Sequence, residues 1–255
     1  MKNYLEITKQ TFKDILSSKI LYNIIFLGAA ITLVTFVSAE FSYGATARVA
    51  FDIGLGLVSF SVSVIAILYG SSLIPNEIEN RTLYMILSRP VSRGMFLLAK
   101  VSGLSIVLFI NLIILLIIVF SLFFIFGGEW SSLILWSVLF VYMEVIMLLC
   151  LSVFLSTIVN KVIAIMSVIT LWISGHGVEN LKTFSLIRDD PYMLKIINTM
   201  SVYLPNFGKF NIKKFVLNNA ELDQSYLMGN LLYCVLWVAF LVYISKLTFE
   251  KKDLS

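Results

Sequence analysis

Charge is scarce in this chain. Asp, Glu, Lys and Arg make up 13% of its 255 residues, against 59% apolar residues and a mean hydropathy of +0.95. A soluble domain carries about a quarter charged residues, and so large an apolar surplus cannot be hidden inside one water-soluble core. Histidine is reduced to His176, and cysteine to Cys150 and Cys234. One histidine falls short of the three or four ligands of a metal site, and no nucleophile stands paired with a base and an orienting group. The single imidazole reads as a polar cap at a water boundary. Both cysteines fall inside apolar runs, which argues for small apolar fillers and against a disulfide. No G-x-x-x-x-G-K-[ST] phosphate loop occurs, and Gly208-Lys209-Phe210 lacks both the glycine spacing and the following hydroxyl. The chain cannot hydrolyse ATP by that device. Nucleic acid is not an expected partner either, because the basic residues sit at the ends of apolar runs and do not cluster with aromatics on one face.

The apolar residues are blocked into six runs, at roughly 20–38, 53–75, 101–126, 131–159, 161–178 and 226–247. Runs of about 18 or more match the hydrocarbon thickness, and in lipid only helices or closed barrels satisfy their backbones. Unalternated Leu, Ile, Val and Phe exclude the barrel. The sequence therefore predicts an all-α, polytopic membrane protein of six spans forming a single transmembrane domain over 1–255. The links Gly127–Trp130 and Asn160–Lys161 are short enough to make neighbouring spans antiparallel.

Orientation follows from the basic residues. With the N-terminus inside, twelve Lys and Arg are cytoplasmic and seven lie outside, six of them in the long 179–225 segment, where they count for less. Both termini are expected in the cytoplasm. Val37-Ser38-Ala39 resembles a cleavage site, but the long leader contains Glu6 and Asp14, so the first span is expected to remain.

Four polar stretches lie between the runs. Residues 2–19 read as an amphipathic interfacial helix with Leu5, Thr8, Phe12, Ile15 and Leu16 on its apolar face. Loop 39–51 says little. In 179–225, Asp190-Pro191 supplies a cap and a first-turn proline. The stripe Tyr192, Met193, Ile196, Ile197, Met200, Tyr203 and Leu204 predicts a helix resting on the outer rim, with a substrate lid as the alternative. Residues 76–100 form the fourth. Asn76 with Glu79 is a capping-box variant that predicts a short helix through about Leu87, stopped by Pro90, with Ser92 capping the third span. An ordinary interfacial connector has the same signals.

Within the spans, Glu144 is the outlier. An ionised carboxylate near the middle of span four costs several kcal/mol unless paired or hydrated. Asn111 in span three is its candidate partner. An ion-coupled carrier would use such a group, but carriers show several polar groups and broken helices near the midplane, which spans three and four lack there. Asp52, Gly54 and Gly56 open the second span and allow close helix approach, in packing or dimerisation.

The run from Glu77 to Lys100, containing NRTLYMILSRPVSRGMFLLAK, resembles the cytoplasmic loop of ABC-2-type transporter permeases. The subgroup it resembles includes the permease for nitrous-oxide reductase maturation. SGHGVENL after span five and YLPNFGKFNIK before span six are similar to that subgroup's outer region. The resemblance implies a transmembrane subunit of an exporter or mechanotransmitter complex in a bacterial inner (plasma) membrane. It would pair with a second permease copy and with separate ABC ATPase subunits that carry the ATP and magnesium. On this resemblance the chain would bind no cofactor or metal of its own and would not itself be an enzyme. The ATPase would dock on a coupling helix through Glu77, Glu79 and Arg81 at the rim and Ile78, Met85 and Ile86 as apolar anchors. Arg89 and Arg93, flanking Pro90, would anchor the loop to anionic lipid. The 179–225 segment would face any outer-side partner protein. A non-transporting scaffold is the remaining alternative.

Overall fold

The computed structural model describes residues 2–16, 20–42, 44–80, 92–181, 190–213 and 222–251. Nine α-helices run through them: α1 Lys2–Leu16, α2 Ile20–Glu40, α3 Thr46–Leu73, α4 Pro75–Glu79, α5 Arg93–Ile125, α6 Ser132–Ile158, α7 Lys161–Leu181, α8 Pro191–Tyr203 and α9 Gln224–Lys251. A 3₁₀ turn at Phe207–Phe210 precedes α9. No strand occurs among the described residues, so the all-helical expectation holds.

Among the described residues, four helices are long and apolar enough to cross a bilayer: Thr46–Glu79, Arg93–Ile125, Ser132–Ile158 and Gln224–Lys251. Two shorter apolar stretches, Ile25–Glu40 and Lys161–Gly177, accompany them. Helix α3 is central and packs against α2, α5, α6 and α7, while α9 lies along α6 and α5. Small residues bring these helices together. A Cβ at Gly54 would lie 2.5 Å from Val119 of α5, and one at Gly70 would collide with Ser152 of α6. Close approach of this kind lets membrane helices gain dispersion energy without a hydrophobic driving force between them.

The short links have identifiable chemistry. Helix α5 ends in a Schellman motif: Gly127 adopts φ +82° and donates to the Phe124 carbonyl, and Gly128 donates to Phe123. Ser131 then caps α6. Asn160 caps α7, its Oδ1 accepting from Ile163 N at 3.0 Å. Ser92 caps α5 and Asp190 caps α8, both as the sequence predicts.

Two expectations need correction. Helix α1 keeps Thr8 and Ile15 of its expected face against the bundle and adds Thr11, while Leu5 of that face points outward. Thr8 and Thr11 are buried against Gly103 of α5, Tyr4 donates to Ser102 Oγ at 2.9 Å, and Leu5 remains 63% exposed. A glycine opposite short polar side chains allows an approach that Leu5 and Phe12 would block. The Asn76–Glu79 capping box does not form either. Helix α4 starts one residue earlier, with Pro75 in its first turn and Ile74 at the cap without a side-chain bond. Proline's fixed φ favours that start, because the missing N–H has no partner in a first turn anyway. Asn80 forms the C-cap of the described helix, and the expected continuation to Leu87 lies outside the described residues.

Candidate functional site

Helix α7 presents Trp172 and His176 four residues apart, so both project from one face. That face meets Glu144 of α6, which is 3% exposed. Trp172 donates its indole N–H to Glu144 Oε1 at 2.8 Å, and His176 Nε2 bonds to the same oxygen at 2.8 Å. The rings of Trp172 and His176 stand 5.9 Å apart, and Phe60 of α3 stacks on Trp172 at 5.7 Å. Asn111 is not Glu144's partner. It is 1% exposed on α5, and its two polar side-chain atoms have no hydrogen-bond partner among the described residues. Glu144 turns instead toward α7, where two donors converge. The glutamate and the lone histidine, unrelated in the sequence, form one cluster.

A cavity of about 170 Å³ opens beside this cluster, between α3, α6, α7 and residues 210–213. Leu55, Phe60, Val141, Phe210 and Ile212 form its apolar wall. Lys213 enters from the segment before α9, and the place a Cβ would take at Gly56 lies 3.1 Å from its Nζ. Burial pushes the Lys213 amine below its ordinary range, while the charges of Asp52 and Glu144 pull it back up.

The lining segment is firmly seated. Asn206 N donates to the Tyr233 hydroxyl at 2.8 Å, Asn230 Nδ2 donates to the Lys209 carbonyl at 3.3 Å, and Lys209 Nζ sits 4.5 Å over the Tyr233 ring. Phe207, Phe210 and Ile212 are buried. A Cβ at Gly175 would collide with the Pro205 carbonyl, so glycine lets this segment close on α7. The expected stripe on 190–204 carries less of the contact: Ile197 is buried, but Tyr192, Met193 and Ile196 are exposed. Residues 205–213 are the anchor, and their alternation of Phe, Phe and Ile with polar residues was the available signal.

The opposite end of the bundle holds the coupling candidates. Glu77 of α4 pairs with the buried Lys100 of α5 at 2.6 Å, and Lys100 Nζ also lies 5.7 Å from the Phe96 ring centre. Lys161 Nζ approaches Asn76 Oδ1 at 3.4 Å. Arg93 donates from Nη1 to the Glu250 carbonyl at 3.2 Å, which ties the start of α5 to the end of α9. Ile78 packs against the core, and only Glu79 of the three described docking candidates is exposed. Arg81, Met85, Ile86, Arg89 and Pro90 lie outside the described residues.

A family model described as ABC-2 family transporter protein matches residues 1–254. The chain belongs to the ABC-2 transporter family. No curated protein matches it. For an ABC-2 membrane component, a transport role and not an enzymatic one follows, with ABC ATPases as the family's general partners. Its two polar constellations sit at opposite ends of the helices: Glu144, His176 and Lys213 beside the 205–213 segment, Glu77 and Lys100 beside α4.

Proposed function

We propose that the chain is the permease subunit of an ABC transporter, crossing the membrane six times and working as a dimer with separate ATPase subunits. The observation that carries the reading is the family match over residues 1–254. Helices α2 and α7 supply the fifth and sixth spans: 21 residues each give about 31 Å, enough for the hydrocarbon core. The loop motif around NRTLYMILSRP supports the subgroup similar to the nitrous-oxide reductase maturation permease. The substrate is moved outward, or ATP-driven motion is passed to an outer-side protein meeting Tyr192, Met193 and Ile196, which are exposed on α8.

Both termini and α4 belong to the cytoplasmic side of a bacterial inner membrane in this reading. An impermeant thiol reagent should therefore label a cysteine placed at 185 in intact cells and leave one at 253 untouched. Labelling at 253 would reverse the topology.

The ATPase docks on the segment from Asn76 to Leu87. Glu77 and Ile78 hold the start of that segment to the bundle, and Glu79, Arg81, Met85 and Ile86 are the residues proposed to contact the ATPase. Apolar anchors carry most of an interface's affinity, while rim charges set rate and register. A pull-down from detergent should recover a nucleotide-hydrolysing partner with the wild type. Met85→Asp with Ile86→Asp should lose it, and Glu79→Ala should weaken it by about two- to fivefold. Recovery of no ATPase, or full recovery with the double variant, would overturn the docking proposal.

A further inference from the structure

We propose that the cavity between α3, α6, α7 and residues 210–213 is a binding site for a small monocarboxylate with an apolar body, its carboxylate held by Lys213. Three features carry this. The Lys213 amine lines the cavity and makes no hydrogen bond or ion pair among the described residues, so its donors have no protein acceptor there. The ammonium is part-buried, and burial pushes the amine downward against the opposing charges of Asp52 and Glu144. Gly56 leaves the space that the ammonium occupies.

Glu144 does not fill the role of acceptor. Its Oε1 is already taken by Trp172 and His176, and no bond joins it to Lys213. Its charge acts on Lys213 only at longer range, as does that of Asp52, which is exposed. With Asp52 and Glu144 already acting on Lys213, a singly charged carboxylate brings less added negative charge than a doubly charged phosphate, and it offers two acceptor atoms.

The rest of the cavity sets the body of the ligand. Leu55, Phe60, Val141, Trp172, Phe210 and Ile212 surround it, and flat aromatic walls at Phe60 and Trp172 favour a ring. A volume of about 170 Å³ is close to the ~150 Å³ of an engineered apolar cavity that accepts benzene. A benzoate-sized molecule fits this volume.

Calorimetry on the full chain in nanodiscs tests the site, with benzoate as probe and benzamide as its neutral isostere. Benzoate should bind saturably and at least about tenfold more tightly than benzamide, as expected for a charge-assisted hydrogen bond. Lys213→Met should remove that preference while leaving benzamide unchanged, and Lys213→Arg should retain it. Equal binding of the two probes by the wild type would overturn the proposal, as would unchanged benzoate binding by Lys213→Met. So would uptake that never saturates, which is partition into the bilayer. The wild-type comparison decides the matter even if Lys213→Met does not fold. None of these measurements involves an ATPase, so failure here leaves the permease reading untouched, and failure of docking leaves this site untouched.

Discussion

Glu144→Leu should destabilise the folded chain by about 2–4 kcal/mol, while Glu144→Gln should cost less than about 1 kcal/mol. The difference lies in one oxygen. Trp172 N–H and His176 both converge on Glu144 Oε1, and a glutamine carbonyl offers the same atom with the same two lone pairs. Leucine fills the volume but leaves a buried indole N–H and an imidazole without their acceptor. Hydrogen bonds between membrane helices average well under 1 kcal/mol, so both losses together fall short of this range, and the rest comes from donors left without an acceptor. Thermal unfolding in detergent, followed for the three proteins side by side, measures this. Equal loss of stability in both variants would show that the charge, not the acceptor geometry, holds α6 to α7. Transport by Glu144→Gln separates the rival function: a permease driven by ATP retains activity, whereas an ion-coupled carrier loses it with expression and folding intact.

The Glu144 cluster also shows where the sequence stops being informative. Helix existence is written in composition, because an apolar run has one way to satisfy its backbone in lipid. Helix ends are equally local: Ser92, Asn160 and Asp190 cap the helices beside them, and Gly127 closes α5 through a positive φ. Which faces meet is not local. Asn111 and Glu144 occupy similar depths in consecutive spans, which made them natural partners, yet Glu144 turns toward α7 and its bonds span 28 and 32 residues. Lys213 looked like one of several basic residues in a polar segment. Its importance depends on Phe207, Phe210 and Ile212 drawing that segment into the bundle, and on Gly56 leaving room for the amine. For α1, period placed Thr8 and Ile15 on the packed side, whereas the fit of Thr11 against Gly103 turned Leu5 outward.

Breaking the pair at the other end should have the larger functional consequence. Lys100→Met should cost about 2–4 kcal/mol, because it breaks the Lys100–Glu77 ion pair in a setting where Lys100 is 9% and Glu77 20% exposed by side chain. Lys100→Met with Glu77→Gln should return most of that stability, since both charges of the pair are then removed together. Activity should not return with it. Helix α4 is a single turn following α3, and the Lys100 ammonium at 2.6 Å joins it to α5. Without that bond, a push delivered to the segment by a docked ATPase reaches α3 but is not passed on to α5. The double variant should therefore bind the ATPase in the pull-down, hydrolyse ATP, and transport or transmit at less than about a tenth of the wild-type rate. The reversed pair, Lys100→Glu with Glu77→Lys, restores a bond between α4 and α5 and should recover part of the coupling. Stability and activity returning together in the Lys100→Met, Glu77→Gln protein would assign the pair to folding alone and move the coupling contact elsewhere on the segment.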